Sequence, residues 1–344
     1  MSDRISFAVI GFGKMGILHS ALVNSHPDAE VVALVDNNQK ILKIFNDMNG
    51  MIKTFSSIEA LKQNISFDCV VITTPSNTHI PLLSKFSDSS PYTLIEKPLA
   101  VNNEQIEVEH LPESLKQRAF TGYVMRFLPI FNKVYHMLQK KALGKIKSFQ
   151  SQYFIGSRIN KIKGWRGDPE VAGGGALITN ASHLVDMCLW YFGKPEKVGG
   201  LKQHFLNQNV EDTFFGQMVY SDGIIGTIET DWSRNGYRLP FMSINIIGEK
   251  GELVVDNDGI RFSQFESVMD YDKGFHEISA TELYEGVFFD IGGIEYSRQI
   301  EAFIRSFRGD ETELCSFNEA QDVQKIIDAF YLSSDSNGVL VTVD

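Results

Sequence analysis

The chain divides by pattern into an α/β domain on a parallel sheet over residues 1–123 and an α+β domain with a large, mostly antiparallel sheet over residues 124–344. Three observations predict this. A short apolar run, Ile5 to Ile10, leads straight into Gly11-Phe12-Gly13-Lys14-Met15-Gly16. Strand-like and helical patterns then alternate as far as Tyr123, which implies parallel strands joined by right-handed crossovers. Beyond Arg126 the rhythm changes to consecutive strands with short turns, such as Ser221-Asp222-Gly223 and Gly248-Glu249-Lys250-Gly251.

The elements follow in order. After the glycine turn, Ile17, Leu18, Ala21 and Leu22 have helical spacing, and Val31 to Val35 is a second strand. Gln39 to Met48 carries a helical stripe, and Asp68 to Thr73 is a buried strand that ends in Thr74-Pro75-Ser76-Asn77-Thr78-His79. Tyr92 to Ile95 is the next strand, followed by Glu96-Lys97-Pro98; a helix over Gln105 to Lys116 leads to a strand from Ala119. In the second domain the pattern predicts a helix over Phe127 to Leu143 and strands at Ile146 to Ile155, Lys197 to Phe205, Thr213 to Tyr220, Ile224 to Thr230, Phe241 to Ile247 and Glu252 to Val255. Helices are predicted at Ala176 to Phe192, at Tyr296 to Phe307 and from Ser316, where Ser316 and Glu319 have capping-box spacing. Val339 to Val343 reads as a last strand.

Bulk properties bound the function. At 344 residues with 43% hydrophobic content the chain can build two cores. A net charge of −11 argues against nucleic-acid or anionic-membrane partners, which need a basic footprint. Cys69, Cys188 and Cys315 form no C-x-x-C pair and no zinc spacing, which fits a reducing cytoplasm and no metal. No stretch has the length of apolar sequence that a membrane span requires.

Strand, G-x-G-x-x-G turn, helix, strand and acidic residue make a dinucleotide-binding (Rossmann) fingerprint. Gly11 permits the tight turn, Gly13 admits a pyrophosphate, and Gly16 seats the helix on the strand. The helix N-terminus then offers N–H groups and a positive dipole end to phosphate. Asp36 ends the second strand, where a carboxylate accepts ribose hydroxyls and repels a 2′-phosphate. With Asn37 and Asn38 next and no Arg nearby, that favours NAD over NADP. The other reading of Asp36 is a cap for the following helix. Thr74, Pro75, Asn77 and His79 follow a parallel strand and are further cofactor-contact candidates, together with Glu96.

Lys97 is the candidate acid/base, because a strand's carboxyl end places it near a nicotinamide; the bland reading is a surface lysine. Gly173-Gly174-Gly175 precedes Ala176-Leu177-Ile178-Thr179-Asn180-Ala181-Ser182-His183. Thr179, His183, Asp186 and Trp190 share one face of the predicted helix. His183 is the second catalytic candidate; paired with Asp186 it also reads as a structural helix pair.

With these motifs in this order, the chain resembles the Gfo/Idh/MocA oxidoreductases, which include sugar, inositol and nucleotide-sugar dehydrogenases. Gly122-Tyr123-Val124-Met125-Arg126-Phe127, Leu143-Gly144-Lys145-Ile146 and Gly248 to Gly251 carry the likeness across almost the whole chain. The resemblance implies NAD-dependent hydride transfer at a ring hydroxyl, Lys97 of Glu-Lys-Pro as acid/base, and a Lys97–Pro98 bond that is cis. It implies cofactor contact by Trp165 and Arg166. Substrate contact is expected from Lys97, Arg126, Arg166, Thr179, Asn180 and His183, and from loops at 157–167 and 233–239. It also implies a homodimer or homotetramer through the open face of the second sheet. Thr179 stands where many members have Asp, so a Lys–His–Asp relay is not expected. A non-catalytic NAD-binding regulator on the same fold is the alternative.

Overall fold

Continuous apolar runs make the strands of the first unit, because a parallel strand is covered on both faces. Every residue of Cys69–Ile72 is buried, as is every residue of Ile5–Ile10 except Ser6. The computed structural model describes residues 4–48, 52–156, 162, 164–268, 271–284 and 286–344. Six strands lie parallel: β1 (Ile5–Ile10), β2 (Ala29–Val35), β3 (Lys53–Phe55), β4 (Cys69–Ile72), β5 (Tyr92–Ile95) and β6 (Ala119–Thr121). Their order is β6-β5-β4-β1-β2-β3, and a two-residue strand, Cys315–Ser316, joins β6 antiparallel. The order reverses between β1 and β4, where Ile10 sits beside Ile72. The carboxyl ends of these two strands therefore flank the crevice in which such sheets hold ligands.

The second unit alternates instead. Met242, Ile244 and Ile246 are buried on one face, with less buried residues between them. Its strands are β7 (Ile146–Phe154), β8 (Lys197–Gln203), β9 (Thr213–Val219), β10 (Ile225–Asp231), β11 (Phe241–Gly248), β12 (Gly251–Asp256), β13 (Gly259–Gln264) and β14 (Gly274–Ser279). With Val341–Thr342 they form a nine-stranded sheet, ordered β14-β13-β12-β11-β7-β10-β9-β8 and then that last strand. The β7–β10 pair is parallel and the others antiparallel. Phe149 stacks on Phe192 at 4.1 Å on the covered face. The other face exposes Leu201, Phe215, Ile225 and Ile247, which the register places together with polar residues.

Several expectations change. The compact units are Met1–Phe127 with Gly286–Gln321, and Leu128–Glu285 with Asp322–Asp344. A single cut after Tyr123 misses the return of the chain to the first unit. The helix Ile294–Phe307 causes that return: its Ile300, Phe303 and Ile304 are buried in the core with Phe7, Val9 and Leu94. Phe303 meets Phe7 at 5.9 Å and Tyr92 at 5.4 Å. The helix expected over residues 105–116 is two helices, Asn103–Val108 and Glu113–Lys116, because Pro112 cannot donate within a helix. The helix expected from Phe127 runs from Pro129 to Gln139, after a 3₁₀ turn, Val124–Phe127. Strands β13 and β14 were not predicted, although Ile260, Phe262 and Gln264 alternate inward in β13. Ser316 lies in a strand; it still exchanges hydrogen bonds with Glu319, its N–H at 2.9 Å from Oε2, at the start of the helix Phe317–Asp335.

Replacing Phe303 by Ala is expected to cost about 3–5 kcal/mol, the usual loss for a fully buried aromatic ring. Guanidinium chloride denaturation measures it; a loss below about 1 kcal/mol would remove the helix from this core.

Candidate active site

The glycine turn is shaped by contacts that exclude side chains. Gly11 has φ +91°, and its N–H donates to Val35 O at 2.7 Å. A β-carbon on Gly16 would stand 2.0 Å from Gly11 O, whereas one on Gly13 would meet nothing within 4 Å. Gly13 therefore faces open space at the N-terminus of the helix Lys14–Ser25. No side chain caps that end, and its first turn holds no acid. Lys14 is exposed there and Met15 partly so. Unsatisfied N–H groups and a positive dipole end facing open space suit a pyrophosphate.

Asp36 is turned toward this site. Its Oδ2 accepts the Phe12 N–H at 2.7 Å and its Oδ1 the Asn38 N–H at 2.7 Å. The cap of the next helix is Asn38, whose Oδ1 accepts from Lys40 and Ile41 N–H. Asp36 thus keeps carboxylate lone pairs available beside the turn, where ribose hydroxyls can donate. Phe12 packs edge-on to Phe45 at 5.0 Å, which steadies the turn. These residues fit an NAD molecule.

Across the crevice, Thr73 Oγ1 donates to Gly11 O at 2.6 Å and ties β4 to β1. Thr78 Oγ1 sits 2.7 Å from Thr74 Oγ1 and 2.6 Å from Pro75 O, closing the turn on itself. Asn77 O accepts from Gln105 Nε2 at 2.6 Å. His79 corrects an expectation: its ring is 1% exposed and faces two backbone carbonyls, so it does not reach a cofactor directly.

Glu96 N–H donates to Ile72 O at 2.8 Å, which holds the end of β5 against β4. Its Oε1 lies 2.8 Å from Nε2 of His19, a ring that is 1% exposed, and its Oε2 accepts the Lys97 N–H at 3.3 Å. Burial alone would raise the Glu96 carboxyl. The His19 hydrogen bond and charge, with the charges of Lys97 and His79, hold it below its ordinary value. Lys97 is half-buried and its bond to Pro98 is cis. Sequence reading missed His19, whose signal is its place three residues after Gly16, on the helix face that meets the sheet.

Arg126 is 1% exposed, and its Nη1 lies 3.0 Å from Glu319 Oε1. That guanidinium serves an internal ion pair, so the substrate contact expected of it is withdrawn.

The second unit holds the other candidates. Gly173 and Gly174 have φ +85° and +150°. A β-carbon on Gly175 would stand 2.0 Å from Glu211 O. The Glu211 carboxylate accepts Gly175 N–H at 2.8 Å, Leu177 N–H at 2.9 Å and the Tyr331 hydroxyl at 2.9 Å. Burial pushes that carboxyl up, against these hydrogen bonds. The clamp precedes a π-helical turn, Leu177–Ala181, and the α-helix proper is Ser182–Phe192. The predicted uniform helix face therefore does not apply from Thr179 to His183, since the wider turn resets the angle. Thr179 and His183 are buried and Asn180 half-buried; the His183 ring lies 6.4 Å from that of Tyr153. Arg166 is exposed, with its guanidinium 4.4 Å from the centre of the half-buried Trp165 ring. Of the expected substrate loop at 157–167, residues 157–161 and 163 lie outside the described residues.

Comparison with known proteins decides the family. Residues 5–122 match the oxidoreductase family with an NAD-binding Rossmann fold, and residues 131–254 match the GFO/IDH/MocA C-terminal domain. The chain belongs to the GFO/IDH/MocA oxidoreductase family. Among relatives, oxidoreductase P35 of Formosa agariphila is 24% identical over 96% of this chain and 99% of its own. The fold matches that of levoglucosan dehydrogenase in complex with NADH and L-sorbose, with TM-score 0.86 and 20% identity over 99% of each chain. It also matches the WlbA dehydrogenase of Bordetella pertussis in complex with NADH and UDP-GlcNAcA, with TM-score 0.85 and 22% identity over 99% and 98% of the two chains. Like other GFO/IDH/MocA members, the protein is an NAD-binding oxidoreductase. No helix among its described residues is long and apolar enough to cross a membrane.

The depressed Glu96 carboxyl makes a stability prediction. A lowered folded-state pKa adds stability that is full above the unfolded value, 4.5, and is lost as pH falls through the folded value. Wild type should exceed Glu96→Gln in stability at neutral pH, and the gap should shrink below pH 4.5. Urea denaturation across that range reads it, and a gap that widens on acidification would refute the assignment.

Proposed function

We propose that this protein transfers hydride between NAD and a ring hydroxyl or ketone of a sugar, nucleotide-sugar or cyclitol. The observation that carries the reading is Lys97 at the carboxyl end of β5, with the preceding Glu96 carboxylate fixed by His19 from the nucleotide-binding helix. When bound, NAD supplies a hydride acceptor. Lys97 takes the proton of the reacting hydroxyl as the carbonyl forms, and returns it in the reverse direction. His183 is its partner in holding that hydroxyl. Thr179 and Asn180 orient the ring by hydrogen bonding, since a threonine hydroxyl is no base at neutral pH. Arg166 and Trp165, exposed and half-buried on a short 3₁₀ turn, contact cofactor and substrate. The complexes of levoglucosan dehydrogenase with NADH and L-sorbose, and of WlbA with NADH and UDP-GlcNAcA, support this substrate class. Nucleotide-linked sugars are the first to assay.

Lys97→Met should lower kcat by about 10²–10⁴, the usual worth of a general acid/base, while NAD binding changes little. The assay is NADH formation over a panel of pyranosides, cyclitols and nucleotide-sugars. An undiminished kcat would overturn the role of Lys97. NAD binding without turnover of any panel member by wild type would favour a regulatory protein.

Self-association uses the open sheet face, where Leu201 pairs in register with Phe215, and Ile225 and Ile247 flank Ser148 farther along the strands. Phe215→Glu should convert a dimer or tetramer to monomers in light scattering; an unchanged mass would move the interface elsewhere.

A further inference from the structure

Two consecutive buried acids, Glu211 and Asp212, hold two different segments of the second unit, and each segment leads into candidate site residues. Glu211 grips three successive backbone N–H groups ahead of the π-helical turn. Its carboxylate oxygens accept from Gly175 and Leu177, and its carbonyl accepts from Ala176 at 2.9 Å. The Tyr331 hydroxyl donates to the same carboxylate, so every partner of the acid is a donor. Asp212 holds a separate stretch of chain. Its Oδ2 accepts the N–H groups of Phe205, Leu206 and Asn207 at 2.8, 2.7 and 3.0 Å. Its Oδ1 accepts Asn207 Nδ2 at 2.6 Å and Trp232 Nε1 at 2.7 Å. Asn207 is fixed at both its main chain and its side chain, and its own Oδ1 accepts the Ile162 N–H at 2.9 Å. The Ile162 side chain packs against the buried cluster of Ala176, Val210 and Trp232. Trp165 and Arg166 follow Ile162 by three and four residues.

We propose that Glu211 and Asp212 are positioning residues that divide the substrate side of the second unit between them. Glu211 sets the π-helical turn, and with it Thr179, Asn180 and His183. Asp212, acting through Asn207, sets the backbone that leads into Trp165 and Arg166. This rests on the reading of those side chains as substrate contacts. Because the two acids are joined by one peptide bond, both segments are referenced to a single point of the backbone.

The test uses the full chain and two readouts. Hydrogen exchange with electron-transfer fragmentation resolves single amides, and kinetics use the panel member that wild type turns over fastest. Glu211→Gln sets an amide nitrogen, a donor, against a peptide N–H. It should speed exchange at Gly175 and Leu177 about fivefold, the worth of one hydrogen bond, with Ile162 close to wild type. It should lower kcat about tenfold with KM nearly unchanged, since His183 is then misdirected. Asn207→Ala removes the acceptor of Ile162 and leaves Asp212 its main-chain donors. It should speed exchange at Ile162 about fivefold, with Gly175 and Leu177 close to wild type, and raise KM about fivefold with kcat nearly unchanged. Thermal melts establish that the variants fold. If Glu211→Gln does not, Tyr331→Phe removes one donor and should give the same pattern at about twofold; Asn207→Ser replaces Asn207→Ala in the same way. Both segments loosening in both variants, or neither responding, would overturn the division. Segment-specific loosening with kcat and KM unmoved would make the acids structural only and overturn their positioning role. If wild type turns over no panel member, the hydride-transfer reading fails instead, and the exchange pattern still decides which acid holds which segment.

Discussion

The contact between Gly16 and the Gly11 carbonyl governs the first unit. The helix backbone comes so near the end of β1 that no β-carbon fits between them. This closeness aims the helix N-terminus at the open space over Gly13. It also sets the height at which His19, less than one turn on, reaches Glu96 at 2.8 Å. A helix displaced by a methyl group would withdraw that imidazole from a carboxylate which burial otherwise penalises. Cofactor cradle and lysine peptide are therefore consequences of one approach of helix to strand.

The second unit repeats the logic with different chemistry. Gly175 lets the Glu211 backbone approach, and the Glu211 side chain then satisfies two N–H groups at the head of the π-helical turn and a hydroxyl from the last long helix. A wide turn is poorly bonded in its own right, so an external acceptor at its start offsets part of the cost of holding it. Thr179, Asn180 and His183 follow directly, so their directions inherit the accuracy of that clamp.

Legibility in the sequence follows the range of each interaction. The fingerprint from Gly11 to Asp36 was readable because its turn, helix and strand are consecutive and each has a spacing of its own. Strand runs such as Cys69–Ile72 were readable because burial on both faces leaves an unbroken apolar stretch. His79 was placed on the right turn, but its direction was not readable, because one of the carbonyls it faces, Pro98 O, lies 19 residues away. Arg126 belonged to a readable motif, yet its partner Glu319 lies 193 residues on. In each case a polar group entering the interior takes the partner that folding brings, and chain spacing does not specify that partner.

Local periodicity and short spacing specify the fold class, the nucleotide turn, the acidic residue that closes it and the lysine at the end of β5. Tertiary structure alone decided that Gly286–Gln321 returns to the first unit, that His19 holds Glu96, that His79 faces Thr74 and Pro98, and that the helix after the glycines begins with a π turn. The physical reason is common to all four. Each is settled by which buried groups satisfy one another across the fold, and that is a property of packing distant segments together.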